Sequence, residues 1–358
     1  MSQTVAHTIP RTFDQVKISH SRITAYREIY PDRISEEAKK KREANLTRGK
    51  YNGYMSQKTK IKVRDYLHNW MHSVDRFFSG RRQYKRKAGI KFVFITLTLP
   101  AYQNHTDQEI KHRALRPFLQ QLQRIHRVRN YLWVAEPQKA GNIHFHIIVD
   151  REIDHRKLRK LWNGYMQDLG YIQDYRDGQL HFHRDGFQVR SELLEKWSYG
   201  AQVEAYMRGT KENWSNPNTT DIHKINHIKN LPAYMTKYIT KSNGSRPIDG
   251  RLWGCSDTLR DIKAITIPLS YRLKQVLMTL AQEKGSCFFG TDFNWTLWRF
   301  SGDTLHQCFP VLNQIWSNFS RHCIRKLYPK LLDPEFFDSL APPVIQMRLE
   351  LQSVYAFN

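Results

Sequence analysis

The stretch Tyr131-Leu-Trp-Val-Ala-Glu-Pro-Gln-Lys-Ala-Gly-Asn-Ile-His-Phe-His-Ile-Ile-Val149 decides the fold class. Two short apolar runs, Tyr131–Ala135 and Ile143–Val149, flank a segment with a proline and the pair Gly141-Asn142. Proline and Gly-Asn form turns, and apolar runs of this length are typical of strands. The stretch therefore predicts a β-hairpin.

The segments around this hairpin extend the pattern to strand, helix, strand, strand, helix. Phe92–Leu99 is rich in β-branched and aromatic residues, which favours a buried strand. Thr106 can cap a helix that runs to about Val128, and Asp154 can open a second helix that ends near Leu169. This order predicts an α+β fold with an RRM-like, or ferredoxin-like, antiparallel sheet and helices on one face.

Composition divides the chain into three zones. Residues 1–88 are polar and basic, and apolar spacing over Val63–Phe78 indicates helix, so we expect a largely helical N-terminal extension. Residues 89–270 alternate between strand-like and helix-like segments and should form the core domain. Residues 271–358 begin as a helix-like segment and become rich in aromatic residues. The sequence assigns no chemistry to this last zone.

The charge of the chain favours a polyanionic partner. Its 358 residues include 57 lysines and arginines against 33 acidic residues, a net charge of +24. Nucleic acid releases counterions when such a surface binds it. No apolar run approaches the roughly 18 residues that span a bilayer, and the N-terminus lacks the apolar core of a signal peptide. We therefore expect a nucleic-acid partner, no membrane, and a cytoplasmic protein.

The cysteines argue against a zinc ribbon or a disulfide framework. The chain has four of them, and no two form a CxxC pair. Structural zinc sites need ligands paired at short spacing. Free thiols in a reducing cytoplasm are the expected state. The four residues are Cys255, Cys287, Cys308 and Cys323.

The second run of the hairpin carries a candidate metal site. His144 and His146 are two residues apart, so on a strand both side chains project from the same face. Glu136 lies eight residues before His144, and a hairpin brings it opposite the histidines. Two imidazoles and a carboxylate can hold Mg²⁺ or Mn²⁺ with positions left for a phosphate. The alternative is a pair of surface histidines with no ligand.

Two other histidine pairs compete with this site. His181 and His183 form a second HxH that can be read as a strand, but no apolar run follows it and no acidic residue precedes it in a hairpin. His223 and His227 have the spacing of one helical turn and stand among polar and basic residues, which favours exposed or DNA-facing side chains. We favour the first pair.

A tyrosine repeat follows at Asn230–Lys241. Tyr234 and Tyr238 would lie one turn apart on a helix, and Lys237 and Lys241 each follow a tyrosine by three residues. A free tyrosine is a poor nucleophile because its pKa is about 10. A metal ion on the attacked phosphate and a nearby lysine make the attack feasible. The alternative is an amphipathic helix with buried tyrosines and solvated lysines.

Three of these segments in this order resemble the motifs of the HUH endonucleases, the initiators of rolling-circle replication and their relatives. They are the strand Phe94–Leu99, the pair His144-Phe-His146 and the Tyr-xx-Lys repeat. The spacing from Glu136 to His144 is similar to the acidic third ligand of part of that superfamily. The paired tyrosines resemble the two-tyrosine class, which includes gene A proteins of small bacteriophages. The resemblance covers roughly residues 90–255, within the proposed HUH domain 89–270.

The resemblance implies a transesterification on single-stranded DNA at a replication origin. A metal ion held by Glu136, His144 and His146 would bind the scissile phosphate. Tyr234 or Tyr238 would attack phosphorus, keep the 5′-phosphate and free a 3′-OH for a polymerase. We favour Tyr234 as first nucleophile.

In that scheme Lys237 would stabilise charge, with Lys241 as the second such group. The chain carries no Gly-x-x-x-x-Gly-Lys-Ser/Thr phosphate loop, so strand separation would require a host helicase besides the host polymerase.

Two other functions remain open at this point. A transposase or relaxase would use the same chemistry on another substrate, although relaxases usually have a histidine triad and an N-terminal tyrosine. A non-catalytic nucleic-acid-binding protein could use an RRM-like sheet, but its aromatic sheet signature is missing. Trp253 could stack on a base; a core position is the simpler interpretation.

Overall fold

The computed structural model describes most of the chain, including the whole segment from residue 82 to residue 224. Its contacts group the chain into two compact units. One unit comprises residues 53–60 and 85–256; the other comprises residues 1–52, 61–84 and 257–358. The described residues are 11–19, 22–30, 36–48, 52–79, 82–224, 246–262, 265–275, 279, 287–288, 295–298 and 310–332.

Ten strands and ten helices are bounded within the described residues. The strands are β1 (Arg11–Ser19), β2 (Arg22–Tyr30), β3 (Val93–Leu97), β4 (Tyr131–Pro137), β5 (Ile143–Val149), β6 (Thr220–Lys224), β7 (Trp253–Cys255), β8 (Ile265–Pro268), β9 (Cys287–Phe288) and β10 (Trp295–Trp298). The helices are α1 (Glu36–Arg48), α2 (Gln57–Phe77), α3 (Arg82–Lys87), α4 (Asp107–Ile110), α5 (Arg116–Arg124), α6 (His155–Asp168), α7 (Tyr171–Phe182), α8 (Tyr199–Lys211), α9 (Asp257–Arg260) and α10 (Pro310–Leu327).

The unit with residues 85–256 is built on a five-stranded sheet in the order β6-β3-β5-β4-β7. Its pairings are all antiparallel. The predicted α+β class with an RRM-like antiparallel sheet is therefore confirmed. The hairpin predicted at 131–149 is β4 and β5, and the strand predicted at 92–99 is β3 at its centre.

The two faces of this sheet have different partners because side chains alternate along each strand. On one face Phe145 is fully buried, and its ring packs edge-on against Trp133 and against Trp162 of α6. Trp162 also packs edge-on against Phe118 of α5. Helices α5 and α6 thus form the core with this face. Register pairing puts Glu136, His144 and His146 on the other face.

The helices that flank the hairpin follow their predicted signals. Thr106 and Glu109 form a reciprocal capping box at the start of α4. A π-helical turn, Lys111–Leu115, connects α4 to α5. The helical run ends earlier than the predicted Val128, near Arg124, and Arg127 has a left-handed φ of 55°. Asp154 caps α6 by accepting bonds from the next turn, as predicted.

The second unit contains a sheet that the sequence analysis did not predict. Strands β1 and β2 pair over their whole length, β8 joins β1, and β10 joins β2. All of these pairings are antiparallel, in the order β8-β1-β2-β10-β9. The N-terminal segment therefore contains two strands besides the helices expected there. The zones 1–88, 89–270 and 271–358 stay a prediction about domains.

The predicted helix at 63–78 is confirmed as α2, which forms the core of this second unit. Trp70 is fully buried and donates from Nε1 to the hydroxyl of Tyr328 over 2.9 Å. Cys255 and Cys323 are free thiols, and burial raises the pKa of Cys323 to about 12. Within the described ranges, every helix is too short or too polar to cross a membrane.

Candidate metal centre

The β4–β5 hairpin brings the three predicted ligands together. Glu136 lies directly opposite His144 in the register, and His146 is two residues further along β5. Directly opposed residues and residues two apart share a face of the sheet. This places all three side chains on one side of the hairpin, as the spacing predicted.

The ligand atoms converge on the carboxylate of Glu136. Its Oε2 is 3.0 Å from Nε2 of His146 and 3.4 Å from Nε2 of His144. One ligand atom from each of the three residues lies within 4.8 Å of the other two. The His146 side chain is 3% exposed, Glu136 13% and His144 15%. The cluster is therefore mostly shielded from solvent, with an accessible side at Glu136 and His144.

The orientation of His146 is fixed by a third strand. Thr96 on β3 pairs with His146 in the register, and its Oγ1 lies 3.2 Å from Nδ1 of the imidazole. Phe94 stacks against the same ring, with centroids 5.3 Å apart and an interplanar angle of 21°. A partner on one ring nitrogen directs the other nitrogen toward a ligand position. Nε2 of His146 accordingly faces Glu136.

The electrostatics of the cluster keep Glu136 ionised. Burial raises the pKa of this carboxyl, but hydrogen bonds and charge interactions with His144 and His146 outweigh burial and lower the pKa to about 2. An ionised carboxylate between two imidazoles is a donor set for a divalent cation.

Nδ1 of His144 is a second sign of a ligand site. This atom is buried and has no hydrogen-bond partner. A buried polar atom without a partner is costly, so such atoms call for an explanation. The residues fit a divalent cation, since two imidazoles and one carboxylate leave further coordination positions for oxygen ligands.

A buried polar cluster supports the start of β5, and the sequence analysis did not find it. Gln103 accepts from the Ile143 amide through Oε1 over 2.6 Å, and its own backbone amide donates to Asn142 Oδ1 over 3.0 Å. Asp107 accepts two bonds from Arg246, of 2.6 and 2.7 Å. Ile143 immediately precedes the ligand His144, so this cluster fixes the strand that carries two of the three ligands.

Asp107 is the charged centre of this support. Burial raises its pKa, but hydrogen bonds from Arg246, Gln103 and the Asp249 amide outweigh burial and hold the pKa below its usual value. Only its place in the first turn of a predicted helix marked Asp107 in the sequence. Arg246 follows it by 139 residues, and no local pattern signals a pair so far apart.

The competing histidine pairs are not metal ligands in the described structure. His181 lies in the last turn of helix α7, and His183 follows it as the C-cap, so the strand reading of this pair was wrong. The His183 ring stacks on Trp214 with centroids 5.3 Å apart. His223 lies on strand β6, not on a helix, and its Nε2 is 2.8 Å from Asp221. His227 lies outside the described residues.

The predicted nucleophile segment also falls outside the described residues. Tyr234, Lys237, Tyr238 and Lys241 all lie in the range 225–245. The description ends at Lys224 on β6 and resumes at Arg246. The roles of these four residues stay predictions.

Trp253 was expected in the core, and it lies on β7. It pairs with Val134 of β4 and is half-buried. Its neighbour Gly254 lies against Trp133, whose Nε1 would be 2.6 Å from an added Cβ. Glycine therefore allows β7 to pack closely on β4.

The fold and site together define an α+β protein whose antiparallel sheet carries a candidate divalent-metal centre. The family model for the replication-associated protein ORF2 matches residues 92–176 of this chain. This segment runs from β3 to the first half of α7, about a quarter of the chain, and it includes Glu136, His144 and His146. No curated protein and no solved structure matches the chain. The match supports a replication initiator, a class of protein that acts on DNA.

Proposed function

We propose that this protein is a metal-dependent endonuclease that nicks single-stranded DNA at a replication origin and later rejoins the strand. The observation that carries the proposal is the cluster of Glu136, His144 and His146, which lies inside the segment similar to replication-associated proteins. The net charge of +24 supports DNA as the substrate. The earlier resemblance to HUH endonucleases supports the same reaction class.

In this proposal Glu136, His144 and His146 hold Mg²⁺ or Mn²⁺. The ion supplies Lewis-acid polarisation of the scissile phosphate. Glu136 contributes a negative charge that is retained above about pH 2, and Thr96 holds His146 with Nε2 directed into the site. The protein groups therefore fix the position of the phosphate before the chemistry begins.

The nucleophile in this proposal is the hydroxyl of Tyr234 or Tyr238. Its oxygen forms a bond to phosphorus, the bond from phosphorus to the 3′ oxygen breaks, and that oxygen leaves as a 3′-OH after it takes a proton. The DNA 5′ end remains on the tyrosine as a phosphodiester. Lys237 and Lys241 would stabilise the charge that develops on the phosphate. The support is their spacing and the resemblance, since they lie outside the described residues.

A reaction of this kind requires further proteins. The freed 3′-OH serves a DNA polymerase, and a helicase separates the strands. We therefore propose the host's helicase and polymerase as partners and the host cytoplasm as the compartment, for a phage or plasmid replicon. The second tyrosine would cut the regenerated junction, and the stored 3′-OH would close the circle.

The experiment is a search for a denaturant-stable protein–DNA adduct. Purified protein is incubated with Mn²⁺ and single-stranded circles that include DNA of its own replicon. The variants are Tyr234→Phe, Tyr238→Phe and the double variant, and Tyr102→Phe is a control because Tyr102 is 76% exposed and belongs to neither predicted motif. We expect an adduct that the double substitution and EDTA abolish and that Tyr102→Phe retains. Tight binding without an adduct would indicate a non-catalytic DNA-binding protein.

A further inference from the structure

A cleft lies in the helical insertion between α6 and β6. The insertion comprises α7, α8 and their loops, and the cleft has a volume of about 210 Å³. Its walls combine aromatic rings, guanidinium groups and one carboxylate. They include Arg159, Tyr175, Trp197, Arg208, Glu212 and Trp214.

The loops that line this cleft are held by two buried amides. Gln202 accepts from the Arg190 amide and donates to the carbonyls of Arg190 and Trp197. Asn163 donates to Asn216 Oδ1 and to the carbonyl of Pro217. Buried side-chain amides used in this way order the backbone. Trp197 therefore has a fixed backbone position, although its side chain lies at the surface.

An aromatic stack forms the inner wall. Trp214 lies parallel to His183 at an interplanar angle of 8°, and His183 in turn stacks on Phe187 at 14°. An added Cβ at Gly209 would be 2.1 Å from the Trp214 ring, so glycine makes room for the indole. The wall is thus rigid. A preformed aromatic wall suits a flat ligand.

The charges in the cleft fit a nucleotide. Arg159 Nε is buried and has no hydrogen-bond partner, while Arg208 is exposed. Guanidinium groups bind phosphate with several donors at once. Glu212 would repel a bare phosphate, but it can accept a hydrogen bond from the amino group of a base. A base and its phosphate together satisfy both kinds of group.

The surface around the cleft is also apolar. Among the described residues, ten large apolar side chains are exposed, and seven of them lie between Leu180 and Met207. Trp197 is 50% exposed. Concentrations of exposed apolar side chains mark interaction surfaces. Aromatic rings among cationic groups are the usual surface for single-stranded nucleic acid.

We propose that this cleft binds one nucleotide of single-stranded DNA, apart from the metal centre. Its base stacks on Trp197, Arg159 and Arg208 bind its phosphate, and Glu212 accepts from the amino group of cytosine or another amino-bearing base. The assignment of DNA rests on the proposed function. The cleft would hold the strand at a second point, so that the DNA is anchored while the nicked end is free.

The test is the affinity for a fluorescein-labelled oligodeoxycytidine of about 12 nucleotides, measured by anisotropy in EDTA. The full chain is compared with Trp197→Ala and Arg208→Gln. The matched controls are Tyr199→Ala, an exposed aromatic residue that does not line the cleft, and Arg184→Gln, an exposed arginine paired with Asp185. Both arginine variants lose one positive charge, so the general attraction to DNA falls equally in both.

We expect Trp197→Ala and Arg208→Gln to raise Kd by about 10-fold, because the loss of one stacked base costs about 1–3 kcal/mol. The controls should change Kd less than about 2-fold. Equal Kd values for the cleft variants and their controls would overturn the proposal. Arg208 is exposed, so its substitution tests the cleft even if Trp197→Ala disturbs folding.

This outcome is separable from the nicking reaction because binding in EDTA needs no metal. If the cleft variants lose affinity and the wild type forms no tyrosine adduct, the cleft is supported and nicking is contradicted. If the wild type forms the adduct and the cleft variants bind like their controls, only the cleft proposal is overturned, and a protein partner becomes the occupant to seek.

Discussion

Thr96 Oγ1 lies 3.2 Å from Nδ1 of His146, directly across the β3–β5 pairing. This contact restricts the imidazole so that its Nε2 is directed at Glu136, 3.0 Å away. The position of the ligand atom is therefore set by a strand that contributes no ligand. Partners of this kind tune the affinity of a metal site without touching the metal.

Replacement of Thr96 by valine should weaken metal binding. Valine keeps the shape and β propensity but removes the hydroxyl, and loss of such a partner costs about 10–100-fold in metal affinity. Thr98→Val is the matched control, since the Thr98 hydroxyl donates to the Thr219 carbonyl instead of to a ligand. Calorimetric titration with Mn²⁺ gives both affinities. Equal affinities in the two variants would contradict a positioning role for Thr96.

The two HxH pairs should differ in their effect on metal binding. His146→Ala removes one of three converging ligands and should abolish measurable Mn²⁺ binding by titration. His181→Ala alters the other pair, which lies at the end of a helix, and should leave Mn²⁺ affinity unchanged. If His181→Ala abolished binding and His146→Ala did not, the metal centre would be assigned to the wrong pair.

Asp107→Asn should destabilise the unit that contains the sheet. The substitution breaks the two-bond ion pair with Arg246 at a carboxylate that is 2% exposed, and loss of one partner of a buried pair costs about 3–5 kcal/mol. Asp185→Asn is the control, because its pair with Arg184 is exposed and contributes about 0–1 kcal/mol. Urea unfolding at neutral pH measures both.

The effect of Asp107→Asn should also depend on pH in a definite direction. The folded state holds the pKa of Asp107 below its usual value, so the unfolded chain binds the proton more readily. Its stabilising contribution is complete above the unfolded pKa of about 4 and is lost as pH falls through the folded pKa. The difference in unfolding free energy between wild type and variant should therefore shrink below about pH 4. A difference that grows on acidification would contradict this account.

Gly209→Ala should disturb the insertion around Trp214. Alanine favours helix over glycine by about 1 kcal/mol, but its Cβ would lie 2.1 Å from the indole, and such overpacking costs about 1–3 kcal/mol. Gly178→Ala on α7 meets nothing within 4 Å and should be neutral or stabilising. Thermal unfolding should rank Gly178→Ala above wild type and Gly209→Ala below it. The reverse order would show that Trp214 is free to move.

Local patterns in the sequence were sufficient for the central hairpin and its ligands. Alternation along β5 put His144 and His146 on one face, and the turn between the strands set Glu136 opposite them. Caps at Thr106 and Asp154 marked the helix starts. These features depend on residues near each other in the chain, so their periodicity and spacing carry the information.

Distant pairings could not be predicted in this way. Strand β2 pairs with β10 more than 250 residues later, and no local signal selects that partner. The link between Asp107 and Arg246 has the same origin. The second HxH was read as a strand because its alternation resembles one, whereas contacts of His183 with Trp214 accompany a helix end there. Tertiary packing overrode the local pattern.

The measurement that tests the central claim most directly is the mass of the nucleotide-bearing peptide. The adduct formed with Mn²⁺ on single-stranded replicon DNA is digested with nuclease and trypsin. Trypsin cuts after Lys229, Lys237 and Lys241, which separates Tyr234 and Tyr238 into different peptides. We predict a 5′-phosphonucleotide on one of these tyrosines, formed only when Glu136, His144 and His146 are intact. A nucleotide on another residue, or an adduct that forms equally in His146→Ala, would contradict the metal-dependent tyrosine mechanism.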